Sequence, residues 1–179
     1  MRYLSDDNEL NKLIRKLLIE QTEIPADRVI NGLSVYGETL DKLIAKNRYD
    51  SYNRDDLFII FELSSRNSES NMSYTKDDGT LEYIGSYNMH VIIYGNSSSL
   101  VASKLAARMR TETVRDVLDE DSIYVENVSD PTTVNEFVNG VLWHRADVDI
   151  YLSCTFNFNQ IGESQSYDSL SKLTIKETD

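Results

Sequence analysis

Few side chains in this chain are of types that do acid–base, nucleophilic or metal chemistry at neutral pH. There are two histidines, His90 and His144, and a single cysteine, Cys154. The densest polar cluster is His144, Arg145, Asp147 and Asp149. On a strand, Asp147 and Asp149 project from one face, where two carboxylates are able to chelate a hard cation. The plainer reading is charge pairing of Arg145 with a neighbouring acid, on the surface or at a subunit boundary. Cys154 lies between Leu152 and Phe156 on an apolar alternation and reads as a small buried hydrophobe. A nucleophilic thiol needs a base and an electropositive setting, and the sequence places neither beside it. His90 shares its strand face with Ser86 and Asn88 and reads as a surface or lightly buried histidine. Tyr94-Gly95-Asn96-Ser97 precedes a helix without the further glycines and the lysine of a phosphate cradle, so it reads as a turn and helix cap. No HExxH, GxSxG or EF-hand spacing occurs. These residues therefore assign no catalytic residue, no cofactor and no metal. An enzyme remains a minority alternative, with Asp147 and Asp149 as its only metal candidates.

The elements that position these residues are read from periodicity. Leu10, Leu13, Ile14, Leu17 and Leu18 form one apolar stripe, so a helix is expected over residues 5–21 with Ser5 as its N-cap. A short strand is expected over 28–31 and a weak helical turn over 39–46. Residues 57–63 read as a buried strand, and residues 81–94 as a strand with Tyr87, Met89, Val91 and Ile93 on its apolar face. Between them, residues 64–79 are polar throughout, predicting a long loop or a mobile hairpin extension. A helix follows Gly95 and runs to about Leu118, with an interruption near residues 111–113. Further strands are expected from Ile123, over 138–143 and over 170–175. The clearest alternation spans 147–159. Val148, Ile150, Leu152, Cys154, Phe156 and Phe158 take one face, and Asp149, Tyr151, Ser153, Thr155 and Asn157 the other. This order predicts one α+β domain over residues 1–179, a mixed or antiparallel sheet with two main helices packed on one face.

Composition narrows the function classes. The chain has 179 residues, 40% hydrophobic, and its thirty acidic against eighteen basic side chains give a net charge of −12. Such a balance opposes tight binding to phosphate backbones, although it suits a passage through which nucleic acid slides. No apolar run approaches the roughly 20 residues of a membrane span, and the first residues lack the apolar core of a secretory signal. The reading is a soluble protein of intracellular origin. Eleven tyrosines, with Tyr83, Tyr87, Tyr94, Tyr124 and Tyr151 at strand positions, suit subunit interfaces as well as they suit ordinary sheet surface.

Two short motifs carry a resemblance. One is Ile93-Tyr94-Gly95-Asn96, running from a strand into a helix with Ala102, Leu105, Ala106 and Met109. The other is Trp143, Arg145, Ala146, Asp149 and Ile150 in a W-x-R-A-x-V-D-I strand. In these, and in the order of elements over about residues 9–160, the chain resembles the tail terminator and neck proteins of tailed bacteriophages. Residues 64–79 and the tail after Gln160 depart from that pattern. The resemblance implies a structural virion protein without catalysis or cofactor, assembled in the host cytoplasm. Such proteins form a ring, typically a homohexamer, on the finished tail tube. The ring stops tube polymerisation, meets the head-side connector and lets DNA pass without sequence-specific binding. Trp143, Arg145, Asp147, Asp149 and Tyr151 are then expected at the subunit interface, with Trp143 and Arg145 fixing the strand; the competing reading makes Trp143 a core residue only. Tyr74 and Lys76, in the polar segment, are expected against the tube or connector. Another neck connector or adaptor, or a non-viral binding module, is the alternative.

Overall fold

The computed structural model describes residues 2–32, 56–66, 71–77, 79–138 and 141–158. Helix α1 (Asp7–Thr22) buries Leu10, Ile14, Leu17 and Leu18, as its stripe requires. Its N-cap is Asp6, not Ser5: the Asp6 carboxylate accepts from the Glu9 N–H at 2.8 Å. Ser5 instead donates its N–H and hydroxyl to the Glu9 carboxylate, both at 2.8 Å, holding Glu9 below the usual carboxylate range. The helix ends on Glu23 in the left-handed region, with its N–H on Ile19 O.

Seven strands make one mixed sheet. β1 (Val29–Asn31) pairs parallel with β2 (Phe58–Arg66), and β2 pairs antiparallel with β4 (Leu81–Tyr94). β4 pairs along its whole length with β7 (Val141–Phe158), from Leu81 opposite Phe158 to Tyr94 opposite Arg145. The outer edge of β7 carries β5 (Ile123–Val128) and then β6 (Thr132–Val138). At the far end β3 (Met72–Thr75) pairs with β4 on the side where β2 has ended. Of the two readings of the polar segment, its described residues bear out the hairpin: β2 runs on to Arg66, and β3 turns back into β4, closed by Lys76 N–H on Thr80 O at 2.8 Å. The strand expected over 138–143 is in fact the ends of two strands, with Val138 opposite Val141. The expected long second helix is two helices, α2 (Ser98–Met109) and α3 (Glu112–Glu120), broken at Arg110 and Thr111, where the Thr111 hydroxyl bonds back to Arg108 O. The turn expected over 39–46 and the strand expected over 170–175 lie outside the described residues.

The helices cover one face of the sheet. Met89, Val91 and Ile93 of β4 and Val148, Ile150 and Leu152 of β7 are fully buried there, against Ile14, Leu18, Leu105 and Met109. Burying such side chains contributes about 1.5–3 kcal/mol each. Tyr87 joins this core, on the apolar face expected for it. Alternation holds along β7, with one departure: Thr155 is buried beside Ile84, where the N-terminal segment bridges β7 at Phe156. The other face, hereafter the open face, carries polar side chains of β2, β4 and β7 and, at one end, a second and smaller buried cluster of Phe58, Ile60 and Tyr94 with Ile30, Ile92 and Trp143 packed against it.

Candidate subunit interface

The two motifs meet where β4 ends. Tyr94 stands opposite Arg145, Ile92 opposite Asp147 and His90 opposite Asp149, so residues far apart in sequence share the open face. Gly95 makes the junction. Its φ is +117°, and a Cβ there would lie 2.7 Å from Asp56 O, so only glycine fits. Its N–H donates to His144 O at 3.0 Å and its carbonyl accepts from Ser98 N–H at 3.0 Å, tying the strand end to β7 and opening α2.

Arg145 is the hub. Its Nε and Nη2 donate to the two oxygens of Asp147, each at 2.7 Å, and Nη1 donates to Glu136 Oε2 at 3.0 Å. This paired fork is the strong form of an ionic hydrogen bond. The Asp147 bond raises the guanidinium pKa further above its ordinary value, against the opposing effect of burial. Tyr94 donates its hydroxyl to the same Glu136 oxygen at 2.8 Å. Burial, and then that bond, pushes its phenol up. Phe58 stacks on Tyr94 with centroids 4.8 Å apart, and Trp143 meets Phe58 edge-on at 5.7 Å. Trp143 therefore packs against its own chain at the foot of the β6–β7 hairpin.

The array continues along β7. Asp149 pairs with His90 Nδ1 at 2.8 Å and accepts from Asn88 Nδ2 at 3.3 Å. Tyr151 lies under the Arg66 guanidinium, 4.9 Å from the ring centre, and Arg66 reaches Glu126 at 3.6 Å. Each carboxylate of the sequence cluster thus has a partner within the chain. Among the described residues, no group of three or more His, Cys, Asp or Glu is placed to hold a metal. Cys154 is fully buried, and burial raises its thiol pKa.

Tyr74 and Lys76 are not part of this array. They stand at the opposite end of β4, where the Tyr74 hydroxyl and Lys76 Nζ both contact the Glu82 carboxylate. Lys76 also donates to the Tyr3 hydroxyl at 3.2 Å. The Glu82 side chain is 2% exposed, and Lys76 first, then Tyr74, holds it below the usual carboxylate range.

Sequence reasoning missed Glu136, Phe58 and Glu82. For Glu136 a signal existed. Asn139-Gly140 separates two β-prone runs, the strongest short-range mark of a hairpin, and it places Glu136 opposite Trp143. For Glu82 none did, because an acid beside a turn is ordinary.

Residues 8–178 match the family described as phage neck terminator protein. The chain belongs to that family, and with it to the structural proteins of the phage tail and neck that contact other virion proteins. No curated protein matches the chain. Among the described residues no helix is long and apolar enough to cross a membrane.

Proposed function

We propose that this protein forms a ring, a homohexamer, that caps the finished tail tube, stops its polymerisation and joins it to the head-side connector, and that it does so without catalysis or cofactor. The carrying observation is the convergence of both family motifs on one network. Arg145 binds Asp147 and Glu136, Tyr94 binds the same Glu136, Gly95 is tied to His144 and Trp143 packs on Phe58, and together these contacts stiffen the root of the β6–β7 hairpin. A self-satisfied network of this kind suits a scaffold that must hold its shape while neighbours press on it. Trp143, Arg145 and Asp147 fix the hairpin that a neighbouring subunit meets, and Asp149 and Tyr151 continue the same face towards it. Tyr74 and Lys76 hold the far hairpin in shape as a second contact surface of the ring. Copies each carrying −12 would line a bore from which a DNA backbone is repelled, so DNA passes without sticking.

The experiment is tube growth. Purified tail-tube protein is elongated with and without this chain, and tube lengths are measured by electron microscopy. The account expects growth to stop and a ring to stand on one tube end. Unchanged tube lengths with bare ends would overturn it.

A further inference from the structure

Seven large hydrophobic side chains are exposed among the described residues, and five stand at the two ends of the β4–β7 ribbon. At the Arg145 end, β7 runs past the last residue of β4. Residues 141–144 of β7 pair only with β6, so the hairpin projects as a two-stranded arm. Isolated two-stranded hairpins are marginal in water. This one nevertheless leaves Phe137 73% and Val134 38% exposed. Its outer edge, Thr-Thr-Val-Asn-Glu-Phe-Val, carries no lysine, proline or bulge against pairing with another strand. At the opposite end, Met72, Tyr74 and Leu81 of the β3–β4 hairpin are also exposed.

We propose that the β6–β7 arm of one copy docks on the β3–β4 hairpin of a second copy, joining subunits head to tail. This rests on the ring reading above and assigns the surfaces that close it. Two features favour a second copy as the occupant. The apolar groups lie at opposite ends of a ribbon about 60 Å long, so one molecule offers two different surfaces. A contact between unlike surfaces generates a ring where its rotation closes and an open filament where it does not, whereas a shared patch gives a two-fold dimer. The faces also match. Val134, opposite Arg145, lies on the open face, as do Met72 and Tyr74, opposite Ile84 and Glu82. Phe137, opposite Leu142, lies on the helix side, as does Leu81, opposite Phe158. A neighbour that keeps its helices on the same side thus sets apolar groups against apolar groups on both faces.

Cysteine pairing tests the contact, since buried Cys154 leaves a quiet background. Phe137→Cys and Leu81→Cys, both on the helix side, are prepared singly and together in the full chain, alone and on isolated tail tubes. An equimolar mixture of the single variants is expected to give a disulfide dimer, and the double variant a ladder of higher species. Phe137→Lys is expected to keep the wild-type circular dichroism and lose self-association. An oligomer in which Phe137→Cys joins only itself, or joins the tube protein, would overturn the inference and leave the ring reading standing. A wild-type chain that stays monomeric both alone and on tubes would overturn both.

Discussion

At one end of the β4–β7 ribbon an arginine fork binds two acids over a stack of three aromatic rings. At the other a lysine and a tyrosine bind one acid beside a four-residue strand whose side chains are all exposed. Both clusters lie on the open face of a hairpin that exposes apolar side chains, one at the hairpin's root and the other beside its turn. They differ in how firmly they hold. The fork fixes the guanidinium in a plane through several directed bonds and buries Tyr94 and Phe58, whereas the ammonium of Lys76 is a point charge on a flexible stem. Both motifs singled out in the sequence fall at the stiff end, and the family match runs through the polar segment at the other. The pattern fits an arm of set geometry at one end and an adaptable contact at the other.

Substitutions should separate the two ends. Gly95→Ala is expected to have the largest effect, a loss of about 2–4 kcal/mol, because a Cβ meets Asp56 O while the backbone is held at positive φ; denaturant unfolding measures it. Arg145→Leu should cost about 1–3 kcal/mol, since it leaves Asp147 and Glu136 half-buried without their shared donor. Tyr94→Phe keeps the ring stack and removes only the bond to Glu136, so about 0.5–1.5 kcal/mol is expected. A similar loss on removing the Tyr74 hydroxyl by Tyr74→Phe would erase the contrast.

At the other end the readout is pH. Glu82 is held below its ordinary value of 4.5 in the folded chain. Its contribution is therefore whole above that value and is lost as pH falls below it towards the folded value. Glu82→Gln should flatten this part of the acid unfolding curve, lower stability at neutral pH, and also flatten the alkaline limb, because the Glu82 carboxylate is what raises the pKa of Lys76 and of Tyr74. The smallest effect on the monomer is expected for Phe137→Lys, within about 0.5 kcal/mol of wild type, because the ring is already in water. Its consequence should appear only in assembly.

Much of the fold was legible because the pattern and the physics coincide. The bounds of β4 were read correctly from its turn signals, and the alternation of β7 gave its buried face residue by residue. The parts missed were those decided by pairing. β6 has no strong alternation and exists as the partner of β7, so its residues carry no strand signal of their own. Polarity left β3 readable only as a loop or as a hairpin extension, since a hairpin edge need not be apolar to pair. In the site, Arg145 with a neighbouring acid was foreseeable from spacing. Glu136, its second acceptor, depended on the register between β6 and β7. Tyr94 was singled out as a motif residue, but its burial under Phe58 required knowing that β2 lies beside β4.

The most direct test of the central claim is to image purified tail tubes by electron microscopy after adding this chain. The account predicts a closed six-fold ring on one end of each tube, with wild-type protein and not with Phe137→Lys. Tubes that stay bare, or that bind single copies along their length, would contradict it.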